Sequence, residues 1–179
     1  MNYMIRRAVL EDAEAVADVS TTSWKTTYKG ILPHSFLNSL NAQTKIQKWK
    51  SLIRQCEEHY IYVAQDRKGQ VVGFCHGGLE RTGEYKYKGE LYAIYLYEEY
   101  QDKGIGSKLI QTLMKKFNEA GIQSLIVWVL KENPYRKFYE QLGAGKVDEK
   151  QIEIAGHFYK ETAYAWEHTK IGEESRDEE

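Results

Sequence analysis

Gln101-Asp102-Lys103-Gly104-Ile105-Gly106-Ser107 is the stretch that decides the fold. Before it stands the apolar segment Glu90 to Tyr97, which reads as a strand. After it comes a strong helical period, with Ile105, Leu109, Ile110, Leu113, Met114 and Phe117 on one side and Gly121 at the end. Ser124 to Leu130 then forms a near-continuous apolar run with β-branched residues, as expected of a strand buried on both faces. Strand, helix and strand in this order predict a right-handed crossover whose two strands are parallel and adjacent. Glycines at the junction let main-chain N–H groups converge beside a helix N-terminus, which carries partial positive charge. Such a turn suits a phosphate or pyrophosphate. Two nucleotide readings fail on spelling. A Walker loop needs GxxxxGK[ST], and a dinucleotide turn needs a third glycine where this chain has Leu109.

Outward from the turn, the period alternates between strand and helix. Tyr3 to Val9 reads as a first strand. Asp12 opens a helix with Ala13, Val16, Ala17, Ser20 and Trp24 on one face, broken by Gly30 and Pro33. A second helix is predicted from about Asn41 to Gln55, with Ile46, Trp49 and Ile53 as its apolar stripe. Tyr60 to Ala64 and Val71 to Cys75 pair as a hairpin across Asp66 to Gly69. Pro134 suits the first turn of a short helix ending near Gly143, and a closing hairpin runs to about His168. The predicted fold is a mixed α/β sheet of about six to seven mostly antiparallel strands, with a central parallel βαβ pair and helices on both faces.

Length and composition narrow the function. The chain has 179 residues, one domain's worth, taken here as 1–170 with an acidic tail, 171–179, expected to be frayed and disordered. Net charge is −1, so no global basic bias points to nucleic acid or an anionic membrane as partner. No apolar run reaches the roughly 20 residues that span a bilayer. Cys56 and Cys75 form no metal-ligand spacing, and two lone cysteines fit a reducing, cytoplasmic compartment. The five histidines are scattered without ligand spacing, so no metal is expected.

Gln101-x-x-Gly104-x-Gly106 resembles the acyl-CoA signature Q/R-x-x-G-x-G/A of the GNAT (GCN5-related N-acetyltransferase) superfamily. Leu91-Tyr92-Ala93-Ile94-Tyr95-Leu96 is similar to the strand before that signature. Asn133-Pro134-Tyr135-Arg136-Lys137-Phe138-Tyr139-Glu140-Gln141-Leu142-Gly143 resembles the family's second motif. Ser23-Trp24-Lys25 and Tyr28-Lys29-Gly30-Ile31-Leu32-Pro33 resemble the front end of bacterial members, so the likeness runs up to the tail. It implies direct transfer of acetyl from acetyl-CoA to a primary amine of a small molecule or protein. No covalent intermediate is expected, because neither Cys75 nor a serine sits in a nucleophile motif.

The resemblance also implies roles. Ile94, Tyr95 and Leu96 would offer main-chain groups to pantetheine, and Gln101, Asp102, Lys103, Gly104, Ile105, Gly106 and Ser107 would wrap the pyrophosphate. Asn133 and Arg136 would touch other parts of CoA. Tyr139 resembles the general acid that protonates the leaving thiolate, with a main-chain N–H near Leu96 for the oxyanion. The base stays open. Counting by two from Leu96 puts Ile94, Tyr92 and Glu90 on one face, and Tyr92 stands where some relatives carry a glutamate. Glu90 acting through water, His76 and Glu80 are the candidates. Trp24 and Tyr28, with Glu80 and Tyr92, are the candidate acceptor residues, whereas Trp49 reads as core. The rival function is an acyl-CoA-binding sensor that kept the fold and lost turnover. Dimerisation is common in look-alikes, and the C-terminal hairpin is the first surface to suspect.

Overall fold

The computed structural model describes residues 3–169. The predicted acidic tail lies outside the described residues. The elements run β1 (Met4–Arg7), α1 (Ala13–Thr27), α2 (His34–Ser39), α3 (Ile46–Arg54), β2 (Tyr60–Gln65), β3 (Val71–Leu79), β4 (Gly89–Leu96), α4 (Ile105–Glu119), β5 (Leu125–Leu130), α5 (Lys137–Gln141), β6 (Gly145–Ile154) and β7 (His157–Trp166). One seven-stranded sheet has the order β1-β2-β3-β4-β5-β7-β6. Among the described strands, β4 and β5 alone pair parallel, as the crossover predicts, and the other neighbouring pairs are antiparallel.

Helices cover both faces. On one, the buried stripe of α1 (Ala13, Val16, Ala17) joins Trp49 and Ile53 of α3 over Ile61, Val63 and Phe74. On the other, Leu109, Ile110, Leu113, Met114 and Phe117 of α4 pack over Cys75, Leu91, Leu125 and Val127, and Tyr139 of α5 joins them. All six apolar positions read for α4, Ile105 included, are therefore buried. Cys75 is fully enclosed and behaves as a small core hydrophobe, with its thiol pushed up to about 12 by burial.

The structure corrects three details. The segment between α1 and β2 holds an extra short helix: Pro33, with φ of −55°, leads directly into α2, and the helix expected from Asn41 is confined to α3 behind a 3-10 turn. Similarly, α5 starts at Lys137 rather than at Pro134, because Asn133 Oδ1 accepts the Tyr135 N–H at 2.8 Å and makes a turn of the intervening residues.

The third correction bears on the site. Ile94, Tyr92 and Glu90 do not share a face. The β3–β4 register runs His76↔Ala93 and then Gly77↔Leu91, so Tyr92 is an extra, bulged residue. Beyond it the parity inverts. Ile94 and Leu96 lie with Leu91 on the α4 face, while Tyr92 turns to the α1 face, its ring 4.8 Å from that of His76. Gly77 makes the close approach possible, since a Cβ there would sit 2.9 Å from Glu90 O.

Candidate functional site

Parting of the two parallel strands creates the site. β4 and β5 pair only through Gly89↔Leu125, Glu90↔Ile126 and Leu91↔Val127, just before the bulge. Each strand then continues without the other, to Leu96 and Leu130. The side of β4 facing the gap keeps open main-chain groups. Tyr97 N–H donates to Val72 O at 3.1 Å, which makes Leu96 and Gly73 a non-hydrogen-bonded pair. By alternation, the N–H and C=O of Ile94 and Leu96 point away from β3 into the gap, whereas those of Tyr95 are spent on Phe74. The Leu96 carbonyl is already engaged, accepting from Ser23 Oγ at 3.0 Å and from Gln101 Nε2 at 3.3 Å.

A cleft of ≈ 470 Å³ fills the gap and extends over the start of α4. Its walls include Ile94, Tyr95 and Leu96 of β4, Gln101, Asp102, Gly104, Gly106 and Ser107 of the glycine turn, and Asn133 and Tyr139 from the second motif. The turn is shaped for an anion. Gly104 is left-handed at φ 76°, α4 has no side-chain cap, and its first fixed donor is Lys108 N–H to Gly104 O at 3.1 Å. That leaves the first-turn N–H groups of Ile105, Gly106 and Ser107 directed out of the helix end. A phosphate fits this arrangement on the protein's own geometry.

Tyr139 reaches the gap from the opposite side. Its ring is buried, stacked 6.0 Å from Tyr164 and edge-on to Trp166. Burial, aided by nearby Tyr28, pushes its phenol well above the ordinary value, so it holds its proton. A cluster of polar aromatic groups lies beside it. The Trp24 indole and the Tyr28 hydroxyl lie close to the Tyr95 hydroxyl, and Asn133 Nδ2 donates to Tyr28 Oη at 3.2 Å. Asn133 thus links the start of the second motif to α1 through Tyr28.

Other sequence candidates stand away from the cleft wall. Glu90 is buried on the α1 face and held by Arg81, through Nε at 3.1 Å, a second guanidinium contact and the Arg81 main-chain N–H. His76 hydrogen-bonds His59 across 3.0 Å and packs against Trp49 and Tyr92. Burial lowers its pKa to about 3, so the ring is neutral and weakly basic. Glu80 accepts from Thr82 and Gly83 in the β3–β4 loop. Tyr92 Oη donates to Leu79 O beneath the Arg81 guanidinium, which lies 4.6 Å from its ring. Lys103 donates to Glu99 O, Ile105 is buried in the core, and Arg136 donates to Lys131 O within its own loop. Ser23 and Phe138 also line the cleft. Ser23 could have been found as a polar residue on the buried side of α1, and Phe138 from its place beside Tyr139 in the second motif.

Parallel strands that part beside an uncapped helix end are the arrangement that the resemblance to N-acyltransferases implies. The acetyltransferase (GNAT) family model matches residues 22–144, and the chain belongs to that family. It is 42% identical to the uncharacterized N-acetyltransferase YuaI of Bacillus subtilis, over 90% of this chain and 91% of that one. It is 26% identical to a spermidine N(1)-acetyltransferase of Thermoplasma acidophilum, over 74% and 81%. Among solved structures, the PaiA N-acetyltransferase of Thermoplasma acidophilum in complex with coenzyme A superposes with a TM-score of 0.73 at 25% identity, covering 90% of this chain and 98% of that one. The fold is shared by an N-acetyltransferase of Staphylococcus aureus Mu50, with a TM-score of 0.73 at 20% identity over 95% and 100%. The chain is accordingly an acyltransferase of the N-acetyltransferase type.

Proposed function

We propose that this acetyltransferase takes the acetyl group of acetyl-CoA and passes it directly to a primary amine of a small molecule or protein. The observation that carries the reading is the continuity of the cleft: open first-turn donors of α4 at one end, free β4 main chain along it, and Tyr139 at the parted strands. Phosphates of the co-substrate meet the N–H groups of Ile105, Gly106 and Ser107. Its pantetheine amides pair with Ile94 and with Leu96 N–H, completing the missing sheet contact. The amine nitrogen attacks the thioester carbon and forms a tetrahedral oxyanion. The C–S bond then breaks, the sulfur takes the Tyr139 proton, and the amine's excess proton leaves to water, which returns one proton to the Tyr139 phenolate. Glu90, Glu80 and His76 are not among the cleft-lining residues; His76 is too weakly basic to take that proton, which leaves Glu90 acting through water as the carboxylate candidate.

The test is thiol release from acetyl-CoA against a panel of amines, with CoA binding measured in parallel by calorimetry. Amine-dependent release supports transfer. Binding without release on any amine supports the sensor, a reading favoured by the same distance of the candidate bases from the cleft. Substituting Gly104→Val checks the anion site. A Cβ at this left-handed φ meets nothing within 4 Å, so the substitution acts first through backbone strain, roughly 1–3 kcal/mol and greatest for a β-branched residue. CoA affinity is expected to fall at least about tenfold, since a distorted first turn misaims several charge-assisted hydrogen bonds. Titration calorimetry reads the result, and unchanged affinity would remove the phosphate from this helix end.

A further inference from the structure

Away from the cleft wall, on the α1 face of the sheet, three strands bring together a group that the reaction above does not use. Leu130 of β5 stands opposite Glu161 of β7, Glu161 opposite Lys150 of β6, and Trp128 opposite Ala163. Cross-strand partners share a face. Trp128, Leu130, Glu161 and Lys150 therefore all look toward the side on which Leu130 packs against Tyr28. The Lys150 ammonium lies 3.9 Å from the centre of the Trp128 ring and 4.0 Å from Glu161 Oε2. A cation here sits between an indole face and a carboxylate, the two surfaces that best attract an ammonium. Tyr85 braces the indole edge-on, with ring centres 5.5 Å apart.

The rigid and mobile parts of this arrangement differ. Trp128 and Glu161 are half-buried in mid-strand, whereas Lys150 is an exposed, flexible side chain at the outer limit of ion pairing. Arg81 also faces Glu161, but its guanidinium is committed to Glu90 and to the Tyr92 ring. Glu161 is thus a partly desolvated carboxylate with one loose partner. Leu130 packs beside it with Tyr28, whose hydroxyl accepts from Asn133 in the cleft wall.

We propose that Trp128 and Glu161 form the seat for a second, non-reacting ammonium group of the acceptor, and that Lys150 is a built-in occupant which such a group displaces. Acceptors with two or more amines are then preferred over monoamines of equal length, because only they fill seat and cleft together. This inference rests on the acetyl-transfer reading for the position of the reacting amine. It differs in what tests it, because the seat is read by binding.

The experiment uses the full chain with CoA bound. A series of α,ω-diamines and the matching monoamines is titrated calorimetrically into wild type, Glu161→Gln and Lys150→Met. Diamine affinity is expected to fall about tenfold in Glu161→Gln, the loss of one charged contact, and to rise about threefold in Lys150→Met, where the competing ammonium is gone. Monoamine affinity should be the same in all three. Opposite signs from two neighbouring substitutions cannot come from general damage to the hairpin. Equal diamine affinity in all three proteins, or a fall in both variants, would overturn the seat. Thiol release measured alongside separates the two ideas: seat binding with no release on any amine sinks acetyl transfer alone, and release with unaltered diamine binding sinks the seat alone.

Discussion

Tyr139→Phe is expected to lower kcat about a hundredfold while the KM for acetyl-CoA stays within a factor of a few. General acid catalysis contributes roughly 10²–10⁴-fold, and the leaving CoA thiolate is stable enough that the lower end applies. The substitution removes only the hydroxyl. The ring contacts with Tyr164 and Trp166 survive, so folding is expected to change little. The pH profile supplies a separate check. The proton needed for catalysis is present below the phenol's pKa and lost as pH rises through it. Burial places that value above 10.0, so any alkaline loss from this group falls above pH 10.0 in wild type, and the kcat profile should stay free of it at lower pH. A mutant with wild-type kcat would show that the thiolate leaves unprotonated or takes its proton from water.

Phe117→Ala is expected to destabilise the fold by about 3–5 kcal/mol. Phe117 is fully buried at the C-terminal half of α4 and meets Tyr60 edge-on at 5.1 Å. Its Cζ lies 3.0 Å from the point where Gly77 would carry a Cβ, so the ring fills the hollow that this bare stretch of β3 leaves. Truncation opens a cavity under the very residues that set the β4 bulge. For a chain of this size the Tm should fall by roughly 6–20 °C, read by thermal denaturation with and without CoA. A shift of less than about 2 °C would mean that the core closes over the lost ring, contrary to close packing.

The crossover was legible because its signals are local and redundant. The apolar period of α4, the glycines before it and the apolar run after it agree with one another. Ile94, Leu96, Gly104, Gly106, Asn133 and Tyr139, read from two motifs, come together on one cleft. The bulge was harder. Leu91-Tyr92-Ala93-Ile94 is apolar throughout, so alternation cannot reveal which residue is extra. The hint lay on the neighbouring strand, where Gly77-Gly78 signals close backbone approach. Helix α2 is too short to show a period at all. The Trp128, Lys150 and Glu161 grouping is set by strand register across two antiparallel pairings, which no linear pattern encodes.

The short parallel seam between β4 and β5 has one more consequence. The sheet is in effect two panels, β1 to β4 and β5 to β7, joined by three residue pairs and by the crossover helix laid across them. Amides of Ile94 and Leu96 that face the gap exchange with solvent until an extended ligand lies in it. A co-substrate lying in that gap as proposed would pin the two panels together: at a hundred times its dissociation constant it would add about 2.7 kcal/mol to the folded state, and resistance to unfolding and proteolysis would rise with its concentration.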